Sequence, residues 1–67
     1  MKKEELIKEL ENTYKGKKIY HQDLEMILEW DLFIDLYYQY ADTENETIHD
    51  YINIVTDRNS NCELIEA

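Results

Sequence analysis

The sequence predicts an all-α fold, a small three-helix bundle that becomes a four-helix one if its central helix bends. Three stripes of apolar residues carry this expectation. Met26, Trp30, Phe33, Tyr37 and Tyr40 are spaced alternately four and three apart, the pattern of a helix packed against others. Ile48, Tyr51, Ile52 and Val55 recur at i, i+3, i+4 and i+7, an amphipathic helix of their own. Leu6, Ile7, Leu10 and Tyr14 make a third stripe near the start of the chain.

Residues 2–15 read as the first helix, supported by the i,i+4 pairs Glu4–Lys8 and Glu11–Lys15. Gly16, the single glycine, stands where a left-handed cap is needed. Lys15, Lys17 and Lys18 surround that helix end, where cations meet the negative end of the helix dipole. They are too small a footprint for nucleic acid on a body that otherwise repels phosphate. Ile19, Tyr20 and His21 form an extended connection. A short strand over Lys18–Tyr20 is conceivable, but the sequence offers it no evident partner strand.

The central helix is expected over residues 22–41, with Asp23 near its positive end. It carries a second row, Leu24, Leu28, Leu32 and Leu36, stepping by four along another face. A helix apolar on two faces must be sandwiched inside its domain or shared with a partner. The leucine row is therefore expected to mediate self-association as a homodimer. Glu29-Trp30-Asp31 is the place for a bend, with Asp31 capping the second half. A DNA-reading helix–turn–helix is excluded, because residues 31–41 carry Asp31 and Asp35 and no Lys, Arg or Asn.

Asp42 to Asn45 breaks the pattern, and Thr43 with Glu46 reads as a capping box opening a third helix over residues 44–57. Arg58 favours its C-terminal end, and Asn59-Ser60-Asn61 stops it. Residues 59–67 are expected as a short tail carrying Leu64 and Ile65, frayed or folded back on the bundle. The expected core is Met26, Trp30, Phe33, Tyr37, Tyr40, Ile48, Ile52 and Val55.

Sixty-seven residues make a single domain, without room for a separate cofactor fold. One cysteine, Cys62, excludes an intrachain disulfide, and no Cys/His set has zinc-site spacing. No apolar run reaches membrane-spanning length, and Met1-Lys2-Lys3 leads into Glu4-Glu5 rather than an apolar signal segment. The expectation is a soluble cytoplasmic protein without membrane contact. Lys, Asn, Ile and Tyr, the residues of AT-rich codons, supply 25 of the 67 positions. That composition suggests a low-GC bacterium, or a phage or mobile element living in one.

The net charge of −9 is unevenly placed. Residues 1–18 hold six lysines against four glutamates, whereas residues 19–67 hold one arginine against twelve acids. Such a body repels phosphate and suits a basic protein partner, unless acidity serves only solubility.

Glu46 and His49 match the Glu-x-x-His element of di-iron bundles, but a full site needs two such elements, which only a dimer could supply. His21 beside Asp23 is a weaker signal still. Cys62 has no neighbouring cation except Arg58, so an activated thiolate is not expected. No nucleophile–base set stands out, and neither an enzyme, a metal nor a cofactor is expected. Tyrosine among acids does make a good protein-binding surface. The expected partner-binding face is Asp31, Asp35, Tyr38, Asp42, Glu44, Glu46 and Asp50, whose carboxylates could imitate a DNA phosphate track. The sequence thus suggests an inhibitor-like or antitoxin-like module that occludes a basic, nucleic-acid-binding surface of a target protein. A structural or regulatory homodimer and a carboxylate/His metal-binding helical dimer are the alternatives.

Overall fold

Leu6 and Leu10, one turn apart, bury the inner side of a first helix, α1, Lys3–Thr13. In the computed structural model, which describes residues 2–57 and 60–66, α1 ends where Tyr14 N–H reaches Leu10 O at 2.8 Å. Gly16 then turns the chain at φ +76°. A Cβ at Gly16 would meet nothing, so it is the left-handed backbone and not crowding that selects glycine. Directly after it the chain enters a strand, β1, Lys17–His21.

The all-α expectation is overturned here. β1 is the central strand of a three-stranded antiparallel sheet, flanked by β2, Met26–Leu28, and β3, Cys62–Glu66. Ile19 pairs with Leu28 on one side and with Leu64 on the other, an apolar rung facing the helices. The strand entertained over Lys18–Tyr20 has two partners rather than none.

The central helix is likewise divided. Its first part is a hairpin, in which Gln22-Asp23-Leu24-Glu25 joins β1 to β2 and Glu25 sits at φ +53°. Helix α2 covers only Trp30–Tyr40, with Glu29 rather than Asp31 at its N-cap. The break occurs near the suggested bend, but what precedes it is strand. Helix α3, Ile48–Val55, is shorter than the expected 44–57, and its capping box is Thr47–Asp50, not Thr43–Glu46. Thr47 Oγ1 accepts from Asp50 N–H and Asp50 Oδ2 accepts from Thr47 N–H, both at 3.1 Å. The tail expected over residues 59–67 contains strand β3. Arg58, Asn59 and Ala67 lie outside the described residues.

α1, α2 and α3 share one core with the Ile19–Leu28 face of the sheet, an α+β arrangement. Trp30, Phe33, Ile34, Tyr37, Ile48, Ile52 and Cys62 fill it, and Val55 packs half-buried against it. Trp30 meets Phe33 edge-on at 5.9 Å between ring centroids. Met26 and Tyr40, expected in the core, are instead 43% and 69% exposed. Met26 falls in β2 rather than on a helix, and Tyr40 is the last residue of α2, past the buried Trp30, Phe33, Ile34 and Tyr37. No described helix is long and apolar enough to cross a membrane.

Candidate functional site

The expected self-association row does not exist as one face. Leu24 lies exposed in the hairpin turn and Leu28 is buried in β2, leaving only Leu32 and Leu36 on α2. Leu24 and Leu36 do line an apolar groove of about 530 Å³ together with Tyr40 and Ile54, with Phe33 and Cys62 also contributing. Burial, and then the charge of Asp23, push the Cys62 thiol above its ordinary pKa, which disfavours the reactive thiolate.

The expected acidic face is also divided. Asp35 accepts from Lys3 Nζ at 2.9 Å, bringing a lysine of α1 onto α2. That hydrogen bond outweighs desolvation and, aided by the charges of Asp35 and Asp31, raises the Lys3 pKa. A phosphate-like track through Asp31 and Asp35 therefore carries a cation in its midst. Asp42 lies beyond the end of α2, so it does not continue their row.

The remaining members, Tyr38, Asp42, Glu44, Glu46 and Asp50, gather at the connection between α2 and α3. Here a groove of about 520 Å³ runs between Leu6 and Glu9 of α1, Tyr37 and Tyr38 of α2, and the turn leading into Ile48 and His49. Its walls are fixed by hydrogen bonds. Tyr37 OH donates to Glu46 O at 2.5 Å, and burial raises the Tyr37 pKa, the nearby charges adding to it. The Glu46 carboxylate accepts from Asp42 N–H at 2.9 Å. Asp42 in turn accepts from Glu44 N–H at 3.3 Å and from Asn45 Nδ2 at 2.7 Å. Across the groove His49 Nε2 meets Glu9 Oε2 at 3.0 Å, while His49 Nδ1 lies 3.5 Å from Tyr14 OH. Tyr38 rests on Tyr37, ring centroids 5.5 Å apart, yet is 47% exposed.

Chemically, this is an exposed aromatic ring beside three glutamates, Glu9, Glu44 and Glu46, with no lysine or arginine in the lining. Such a set can hold a guanidinium or ammonium group by charge-assisted hydrogen bonds and by contact with the ring. Asp50 is occupied in capping α3 and contributes charge rather than a free acceptor.

The metal-dimer alternative meets a different obstacle. Glu46 precedes α3, so it is not one helical turn from His49 on a continuous helix, and each side chain is engaged elsewhere. Among the described residues no group of three or more His, Cys, Asp or Glu is placed to hold a metal ion. Glu9 was not anticipated as part of the groove, because its meeting with His49 spans 40 residues and leaves no local pattern. No family model, no curated protein and no solved structure matches the chain.

Proposed function

We infer that the chain is a small protein-binding module that occludes a basic surface of a target, seating an arginine or lysine of that target in the groove beside Tyr38. One observation carries this reading: an exposed tyrosine ring and three glutamates share a groove whose lining holds no lysine or arginine. The groove is preorganised, since the turn that presents Glu44 and Glu46 is already tied by hydrogen bonds from the Asp42 and Glu44 amides to the Glu46 and Asp42 carboxylates. Less ordering entropy is then lost when a partner docks. The role is binding and not catalysis, and the target reads as a protein with a basic, nucleic-acid-binding patch, because an acidic body competes for such a patch and repels nucleic acid itself.

The test is titration of the whole chain with an arginine-rich peptide at low and at high salt. Binding should weaken as salt rises, since exposed charges are screened over about 10 Å at 0.1 M. Combining Tyr38→Ala with Glu44→Lys should weaken binding about tenfold or more, the sum of a lost ring contact and a reversed charge. Asp31→Lys should weaken it much less, although each variant makes the chain less acidic. Equal losses from the two would reduce the effect to net charge and sink the groove reading.

A homodimer is the second reading, favoured by the apolar groove of Leu24, Leu36, Tyr40 and Ile54. Light scattering at micromolar concentration, with Tyr40→Lys as the disrupting variant, decides it.

A further inference from the structure

Strand β3 is an edge, and its open side has a defined hydrogen-bonding phase. Gln22 N–H donates to Asn61 O at 2.7 Å just ahead of the β1–β3 ladder. In an antiparallel ladder the paired and unpaired positions alternate from there. With His21 opposite Cys62 and Ile19 opposite Leu64, the amides and carbonyls of Glu63 and Ile65 turn inward to β1. Those of Cys62, Leu64 and Glu66 turn outward, where the sheet order gives them no partner strand among the described residues.

Edges are normally blunted by brevity, lysine, proline or a bulge. β2, the other edge, is three residues long. β3 is five residues long, runs without interruption in register, and contains neither lysine nor proline. What it carries is Glu63-Leu64-Ile65-Glu66, two acids bracketing an apolar pair. Glu63 and Ile65 lie on the outer face of the sheet, Leu64 and Glu66 on the face toward the helices, by strand alternation.

We propose that the open edge of β3 takes an extended segment of a protein partner as a fourth strand, one with two cations three residues apart around an apolar pair. In that pairing each cation stands opposite Glu63 or Glu66, and the apolar pair stands opposite Leu64 and Ile65. A second copy of this chain is the poorer occupant. Its own strand would bring Glu63 and Glu66 into the company of the same two acids, on a body of net charge −9. This site shares no residue with the Tyr38 groove, so either can fail alone.

The probe is a short capped peptide with the core Lys-Val-Val-Lys, and its mirror in charge, Glu-Val-Val-Glu. Amide hydrogen exchange of the full chain is read residue by residue. The lysine peptide should slow exchange at Cys62, Leu64 and Glu66 and leave the already paired Glu63 and Ile65 unchanged. Reversing Glu63 and Glu66 together to lysine, both exposed and outside the core, should weaken that peptide roughly two- to thirtyfold, the worth of two cross-strand pairs. The same double variant should then prefer the glutamate peptide. Three results would each overturn the proposal: no slowing at the three outward amides, equal slowing along the whole strand, or slowing that appears without peptide as protein concentration rises. The last would identify the second copy as the occupant.

Discussion

Replacing Glu25 by glycine and, separately, by valine distinguishes the hairpin from a continuous central helix by the order of two stabilities. Both variants remove the same charge, so electrostatics cancels between them. In the structure Glu25 closes the β1–β2 turn at φ +53°, a conformation that costs an L-residue about 1–2 kcal/mol. Glycine relieves that cost but gives back about 0.5–1 kcal/mol through its greater freedom in the unfolded chain, so Glu25→Gly should stabilise by about 0.5–1 kcal/mol. Valine keeps the whole cost and adds the crowding of a branched Cβ at positive φ. Glycine should therefore exceed valine by about 0.5–1 kcal/mol at position 25, and valine's crowding widens the gap further. In a helix the order reverses, because valine is the better helix former by about 0.3 kcal/mol. A domain of 67 residues has a total stability of roughly 3–10 kcal/mol. A gap of 1 kcal/mol moves its melting temperature by about 4–8 °C, which thermal melts followed by Trp30 fluorescence resolve easily. A valine variant as stable as the glycine variant would refute the hairpin.

Phe33→Ala should cost about 3–5 kcal/mol, because the ring is 1% exposed and packed against Trp30 and Tyr51, whereas Tyr40→Ala should stay within about 0.5 kcal/mol. Urea titration of both variants checks the contrast, and similar losses would restore the continuous aromatic stripe. Thr47→Ala should destabilise by about 1 kcal/mol through loss of the α3 cap, while Thr43→Ala should not; chemical denaturation of the pair checks which threonine caps. Tyr37→Phe removes the hydrogen bond to Glu46 O and should cost about 1 kcal/mol at neutral pH. Since the folded pKa of Tyr37 lies above its unfolded value of 10.0, the stability linked to its proton is fully present below that value and is lost as pH climbs through the folded one. The gap between Tyr37→Phe and the parent should narrow in denaturation curves taken above pH 10, and a constant gap would show that the phenol does not titrate with folding.

The helices were legible because each offers enough turns for a 3.6-residue period to repeat. Leu6 and Leu10 in α1, Trp30, Phe33 and Tyr37 in α2, and Ile48 and Ile52 in α3 all lie on buried faces. The sheet was not legible for four separate physical reasons. Its hairpin turn, Gln22-Asp23-Leu24-Glu25, has no glycine, proline or asparagine, so a positive φ is adopted by a residue that does not advertise it. β2 is three residues long, too short for alternation to be told from a helical turn. Met26 falls four residues before Trp30, and Leu24 and Leu28 continue into Leu32 and Leu36, so a strand in register with a helix counterfeits one long helix. β3 alternates weakly and acquires its strand character from pairing with β1, more than 40 residues earlier in the chain. Long-range pairing of this kind overrides local preference and cannot be read from a window.

The charges obey the same logic. Counted along the chain, the lysines form a basic end and the acids a separate body. In three dimensions Lys3 reaches Asp35 across α1 and α2, and Lys18 reaches Glu29 at 2.7 Å from β1. Two of the six lysines are thus paired with acids of α2 and its N-cap. The acids around the α2–α3 connection, Asp42, Glu44, Glu46 and Asp50, have no ion pair with Lys or Arg among the described residues; His49 Nε2 there lies 3.0 Å from Glu9 Oε2. A charge reversal at Asp31 and Asp35 therefore disturbs a compensated surface, and a reversal at Glu4 and Glu5 alters the first turn of the helix that supplies Lys3. Neither isolates the uncompensated field. Glu44 does, because its side chain makes no hydrogen bond or ion pair among the described residues and lies in the groove beside an exposed ring, so its reversal changes the field without breaking a cap, a turn or the core.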